Sequence, residues 1–415
     1  MRIHVRLFAT LSLLLCLVLL LCACDPGGTI DDVKDKIDGV KDDIKDTVDG
    51  VKDKVSSLIA TTTTAPPPVT EAPPTPGMLY QQSADGEGAV VRGYAGKVKD
   101  LVIAEEHEGM PVIGILQGAF KGKHTLSSIR IPDSVITVGK DAFGGCNGLI
   151  KAEAGLHYVD RWVVGAGEYA GSVVLREDTA GIADGAFLGR IHLKSVTLNA
   201  TIRTIGEDAF LGCTSLCEII LSEENPSYAV VGSALYTKDM SRLIRYFGTA
   251  ESFTVPATVT EIAPSAFRDH AELKQIAFEA SEAIVTIGKD AFRGCTSLTT
   301  FVLPENVEQI PAGCFSGCTS LSTFVFPEGG AYRAIGAEAF RGCTSFVEFS
   351  IPEGIMEIGS NAFSECTGLL RVNFAVTSGW KIGVQSVNPA QIDTPAKAAA
   401  VLLGTYRAKT WTRVK

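Results

Sequence analysis

The sequence predicts a solenoid of mainly parallel β coils. It carries two inserted β-hairpin segments, a C-terminal strand-plus-helix cap, and an N-terminal helical or disordered stalk. Three observations support that prediction. An Ala-Phe pair recurs at near-regular intervals, the positions around it repeat the same apolar and glycine residues, and residues 1–77 lack the pattern. A period of 20–30 residues with fixed apolar positions means coils that bury their apolar faces only by stacking.

Residues 1–23 read as a lipoprotein signal peptide. Arg2 and Arg6 precede an apolar run from Leu7 to Cys22 that is too short and too terminal for a comfortable membrane span. The run ends in Leu21-Cys22-Ala23-Cys24, which resembles a bacterial lipobox. That resemblance makes Cys24 the lipidated residue and the mature chain extracytoplasmic, anchored to the cell membrane and exposed at the surface.

Residues 24–60 hold an eleven-residue repeat, DDVKDKIDGVK from Asp31 and DDIKDTVDGVK from Asp42. Val33, Ile37, Val40, Ile44, Val48, Val51 and Val55 form one apolar stripe. Such a helix can act as a solvated spacer, oligomerise through the stripe, or lie on the membrane. Its excess of aspartate disfavours the last. Residues 61–77, TTTTAPPPVTEAPPTPG, form a Thr/Pro linker expected to be extended.

Residues 78–111 are the N-terminal cap of the solenoid and residues 112–376 its repeats. The repeat phenylalanines are Phe120, Phe143, Phe187, Phe210, Phe267, Phe292, Phe315, Phe340 and Phe363, at gaps of 23, 44, 23, 57, 25, 23, 25 and 23. In one coil, Leu298, Phe301 and Leu303 point inward while Thr300 and Val302 point out, by strand alternation, and Pro304 closes the strand. The Ile-Gly before Ala-Phe in copies such as Ile287-Gly288 and Ile335-Gly336 supplies an inward isoleucine and, at the corner, a glycine free to take positive φ. The phenylalanine fills the coil centre. Copies such as VTIGKDAFRGCTSLTTFVLPENV from Val285 and RAIGAEAFRGCTSFVEFSIPEGI from Arg333 superpose almost residue for residue.

This unit resembles the BspA-type leucine-rich repeat family, so the resemblance implies a leucine-rich-repeat solenoid. Val90 to Val112 is similar to that family's N-terminal segment. Trp380 to Arg413 is similar to its C-terminal end, so residues 377–415 are the C-terminal cap, with Thr394-Pro395 starting a helix over Ala396 to Leu403. What the family implies for function is adhesion to host or neighbouring-cell components, through an extracellular protein or glycan.

The two long gaps hold inserts near 157–180 and 225–254. Residues 229–236 and 242–247 read as a hairpin turning at Lys238-Asp239, and the segment from His157 as a second such device. Either they are decorated coils that add core, or Arg161, Trp162, Tyr169, Tyr236, Arg242, Arg245 and Tyr246 are exposed ligand contacts, since aromatics and arginine dominate interface hot spots.

Net charge of −10, with 47 acidic against 37 basic residues, argues against nucleic acid as a partner. Cys146, Cys213, Cys295, Cys318, Cys343 and Cys366 each follow a repeat phenylalanine by three residues. Parallel stacked positions about 4.8 Å apart suit neither a disulfide nor a zinc tetrad, so these are expected as buried small residues and no metal or cofactor is expected. The six histidines share no spacing, and no nucleophile elbow or phosphate loop stands in context, so an enzyme is not expected. The outward strand positions remain as a binding strip. The competing reading is a lipoprotein that captures a soluble oligosaccharide or peptide for uptake or degradation.

Overall fold

The computed structural model describes residues 73–414 apart from 169, 281, 282, 285 and 405, and residues 72–415 form one compact unit. Cys24, the repeat of residues 24–60 and the linker up to residue 72 lie outside the described residues. The last linker residues dock on the solenoid: Thr75 donates its amide to the Val102 carbonyl at 2.9 Å, and its hydroxyl accepts from the Val102 amide at 2.8 Å.

Each coil contributes one strand to each of two parallel ladders. The front ladder runs from Asp100–Val102 and Ser128–Arg130 to Glu348–Ile351 and Arg371–Phe374. The back ladder runs from Met110–Ile115 and Thr137–Val138 to Glu357–Ile358. Pairing joins equivalent residues one coil apart, for example Phe301 to Phe324 in front and Ile310 to Ile335 behind. Inward residues alternate with outward ones, so Thr300–Val302 reads exposed, buried, exposed.

All nine repeat phenylalanines are buried. Their rings stack coil on coil: Phe267 on Phe292 at 5.1 Å, Phe292 on Phe315 at 5.3 Å, Phe315 on Phe340 at 5.5 Å and Phe340 on Phe363 at 5.4 Å. Offset stacks at this spacing fit the rise of one coil.

The corner differs from the expectation in one respect. The glycine of Ile-Gly does not take positive φ. Left-handed backbone occurs instead two residues after the phenylalanine in every copy (Gly122, Gly145, Gly189, Gly212, Asp269, Gly294, Gly317, Gly342, Glu365), and two residues before it in most. The Ile-Gly glycine is required by crowding. A Cβ on Gly288 would lie 2.2 Å from Pro264 N, and one on Gly359 would lie 2.3 Å from Ala337 N. The back ladder passes so close to the preceding corner that no side chain fits.

The inserts are three-stranded meanders. Lys151–Glu153, a front-position strand, pairs antiparallel with Leu156–Val159, which pairs antiparallel with Trp162–Ala166. Trp162–Ala166 then runs parallel to Gly181–Ile182 and occupies the back-ladder position. In the second insert Tyr228–Val231, Ala234–Thr237 and Arg242–Tyr246 do the same, the last pairing with Glu261–Ile262. The single strand expected over 229–236 is thus itself a hairpin, turning at Gly232, whose φ of 58° makes the reversal possible.

The second and third strands of each meander carry core residues on both faces and partition the interior. Val159 and Trp162 belong to the N-terminal core cluster, whereas Tyr158 and Val163 belong to the middle one. Leu235 and Phe247 face the middle cluster, and Ala234, Tyr236, Leu243 and Tyr246 the C-terminal one. Tyrosine hydroxyls satisfy backbone donors at these joints: Tyr158 accepts from the Arg176 amide at 3.1 Å and Tyr228 from the Ile205 amide at 2.8 Å.

The ends are closed. Met78–Gln82 covers Ala89–Tyr94 at the N-terminus. At the other end Trp411–Arg413 pairs antiparallel with Glu357–Ile358 and with Trp380–Ile382, sealing the back ladder. A helix over Pro395–Leu403 starts at Thr394, whose hydroxyl accepts from the Lys397 amide at 3.5 Å. It buries Ala398, Ala399 and Leu402 and packs on Arg371–Phe374.

Candidate binding face

The outward positions of the front strands are exposed in the C-terminal coils: Thr300 and Val302, Thr323 and Val325, Glu348 and Ser350, and Arg371, with Asn373 half-buried. Their side chains tie coil to coil. Arg371 grips Glu348 through Nε at 3.1 Å and Nη2 at 2.8 Å, and Asn373 donates to the same carboxylate. Those hydrogen bonds, Arg371 first, hold the Glu348 carboxyl below its ordinary range. Val302 and Val325 stand 48% and 38% exposed on the middle of the strip.

Where these strands end, a groove of about 450 Å³ opens, lined by Phe324, Val325, Phe326, Ser350, Ile351, Pro352, Asn373, Phe374 and Ala375. It forms because bulky phenylalanines replace aliphatic residues at the position before the strand-closing turn. Leu303 and Ile351 there are buried, but Phe326 and Phe374 exceed the space inside the coil and remain half-exposed as walls. The outward positions are exposed as strand alternation predicts, and the groove was not anticipated. Its only signal was Phe326 and Phe374 standing where Leu303 and Ile351 stand in other copies.

The insert residues expected as exposed contacts are corrected by their burial. Trp162, Tyr236 and Tyr246 are 3%, 1% and 1% exposed, because the second and third meander strands, the third within the back ladder, carry core residues on both faces. Arg245 is also buried, donating to the carbonyls of Ser265 at 2.7 Å and Arg268 at 3.4 Å. Arg161 and Arg242 are half-exposed and paired, with Asp133 at 2.5 Å and Glu261 at 2.8 Å. Tyr169 lies outside the described residues. The contacts expected of this set do not converge on one surface.

The eight described cysteines are free thiols, and all but Cys217 are buried. Six donate S–H to the carbonyl of the repeat phenylalanine one coil back, as in Cys146 to Phe120 at 3.0 Å and Cys318 to Phe292 at 3.1 Å. Burial pushes Cys295 up to about 12 and Cys213 up to about 11, far from thiolate chemistry. Burial also raises the carboxyls of Asp160 and Asp184, yet each is engaged by a backbone amide, Ile131 at 2.9 Å and Glu207 at 3.2 Å. Among the described residues, no group of three His, Cys, Asp or Glu side chains is placed to hold a metal ion. Among them too, no helix is long and apolar enough to cross a membrane.

The chain matches the family model described as the BspA type leucine rich repeat region, in six copies over residues 113–228, 245–370 and 331–381. It is similar to the solved structure of a leucine rich cell surface protein from Faecalibacterium prausnitzii, at 22% identity over 79% of this chain and 99% of that one, with TM-score 0.45. A leucine-rich repeat protein from Bacteroides ovatus is 20% identical over 72% of this chain and 88% of its own, with TM-score 0.35. The pneumococcal vaccine antigen PcpA is 19% identical over 72% of this chain and 66% of its own, with TM-score 0.39. No curated protein matches the chain.

Proposed function

The chain belongs to the BspA-type leucine-rich repeat family, and from that premise we propose that it is a non-catalytic, lipid-anchored surface protein that binds an extracellular protein or glycan. Lipid on Cys24 ties it to the cell membrane, the repeat and Thr/Pro segments set it off from that surface, and the front strands meet the partner. The observation that carries this reading is the exposed strip from Thr300 to Asn373, contiguous with the groove at Val325, Ser350 and Asn373. Solenoids use such extended faces for partners because the interior is fully occupied by core.

A glycan and matrix-protein array tests it, comparing wild type with the double variant Val302→Arg/Val325→Arg. These side chains are exposed, so folding is retained while the strip is altered. Binding by wild type that the variant loses supports the reading. Equal binding by both proteins, or none by either, rejects it.

The groove favours a second reading: capture of a soluble oligosaccharide or peptide for uptake or degradation. A volume of about 450 Å³ accommodates one small ligand or side-chain cluster. Binding of one soluble oligosaccharide with no macromolecular ligand on the array gives this reading precedence.

A further inference from the structure

The groove is bordered by carboxylates that the rest of the face does not resemble. Three of the front strands here, though not Arg371–Phe374, are followed by Pro-Glu, giving Glu305, Glu328 and Glu353, all exposed. Glu328 follows the lining residue Phe326 by two positions and Glu353 follows the lining residue Pro352 directly, so both carboxylates belong to the turns next to the groove, and the Arg413 guanidinium bonds the Glu353 main-chain carbonyl. Neighbouring carboxylates are neutralised: Glu308 by Arg333 at 3.2 Å, Glu348 by Arg371 at 2.8 Å, and Glu338 and Glu365 by Arg341 at 3.4 and 2.7 Å. Among the described residues none of the Pro-Glu carboxylates pairs with a cation. The groove wall meanwhile offers a ligand few free polar groups, because the Asn373 amide is already committed to Glu348.

We propose that the groove with its Pro-Glu rim receives an extended protein segment in which Phe or Leu alternates with Lys or Arg. The inference rests on the reading of the front face as a binding surface and names its partner class. An extended peptide laid across the coils places alternate side chains roughly 7 Å apart on one face and intervening ones on the other. Apolar side chains enter between Phe326 and Phe374, while the intervening Lys or Arg, which leave the opposite face, fold their long stems back over the peptide edge towards Glu328 and Glu353. Charge complementarity of this kind steers encounter and weakens with salt.

The test is fluorescence anisotropy of the full chain with a short fluorescein-labelled peptide alternating Lys with Phe, and with its Glu-for-Lys counterpart. The Lys peptide is expected to bind, the Glu peptide not. The double reversal Glu328→Lys/Glu353→Lys is expected to weaken the Lys peptide by about tenfold or more and to admit the Glu peptide. The same charge change at Glu223→Lys/Glu224→Lys, a remote exposed pair, is expected to leave affinity unchanged, which separates a site from general attraction to an acidic protein. Ala375→Trp fills the groove from an exposed position and is expected to abolish binding without touching the core. No binding by the Lys peptide, equal loss in both double reversals, or full binding by Ala375→Trp each overturns the inference. Array binding that Val302→Arg/Val325→Arg abolishes, with no peptide binding, would leave the broader reading standing and discard this one.

Discussion

His270 and Tyr246 are joined across one coil by a hydrogen bond of 2.7 Å from Nε2 to the main-chain carbonyl. Elsewhere a cysteine holds that position, as Cys343 does in donating to the Phe315 carbonyl at 3.1 Å. After the first insert Arg190 takes the role, its Nε bonded to the Ala166 carbonyl at 2.9 Å. The third residue after every repeat phenylalanine except Phe120, where it is Lys123, is therefore a donor that stitches its coil to the one before. Where a meander replaces the usual corner, the geometry changes and a longer donor replaces the thiol.

That replacement makes one coil joint sensitive to acid. Burial, and then the charge of Arg245, hold the His270 imidazole down to about 4 from its ordinary 6.5. Between those values the unfolded chain binds a proton that the folded chain refuses, so stability falls as pH drops from about 6.5 towards 4, by up to roughly 3 kcal/mol, and this loss stops below that window. Asp160 and Asp184, whose carboxyls burial raises, act in the opposite sense from about 3.8 upward. The measurement is therefore the difference in urea midpoint between wild type and His270→Gln from pH 7 to pH 4.5. Glutamine keeps an N–H donor and does not titrate, so its curve is expected to be the flatter. Parallel curves would remove His270 as the cause.

The thiols give a second expectation. Cys217 alone among the described cysteines is exposed, and the others are buried with ionisation pushed up, Cys366 to about 12. Thiol reagents attack thiolates. The chain from residue 72 on should show one fast-reacting thiol with an aromatic disulfide reagent, and all eight only in denaturant. Cys217→Ser should abolish the fast phase. Rapid reaction of the repeat cysteines in native buffer would contradict their role as coil-to-coil donors.

The coil was legible in the sequence because every copy solves the same packing problem, so Phe292, Phe315 and Phe340 repeat the same neighbours. The helix at Thr394-Pro395 was legible because capping is local. Of the two readings of the inserts, the decorated coil that adds core holds, and the exposed-contact alternative fails for a corresponding reason. A Trp or Arg in a non-repeating stretch carries no periodic mark of which way it faces. Trp162 faces inward only because its strand completes the back ladder beside Gly181, whose Cβ would lie 2.5 Å from the indole. Crowding at Gly288 and Gly359 was likewise invisible, since a glycine needed for close approach and one needed for positive φ look identical in sequence.

The anchor is tested on cells. With lipid at Cys24 the protein should sediment with membranes, and Cys24→Ala should release it into the medium or the soluble extracytoplasmic fraction. One myristoyl-sized chain gives only marginal binding, whereas a diacylated cysteine holds firmly. The contrast on immunoblots of the fractions is thus expected to be large. Retention of Cys24→Ala on the membrane would put the attachment elsewhere in the chain.

Phe315 tests how far the interior acts as one body. Its ring lies between Phe292 at 5.3 Å and Phe340 at 5.5 Å with no exposure, so Phe315→Ala should cost roughly 3–5 kcal/mol. In a stacked repeat such a loss is passed chiefly to neighbouring coils. The meander at Tyr228–Tyr246 separates the C-terminal cluster from the middle one. Native-state hydrogen exchange of Phe315→Ala should therefore accelerate from Thr286 to Phe363 and leave Val163 to Ile182 near the wild-type rate. Phe120→Ala should give the converse pattern. Uniform acceleration in both variants would mean that the meanders transmit the loss across the whole stack and do not act as partitions.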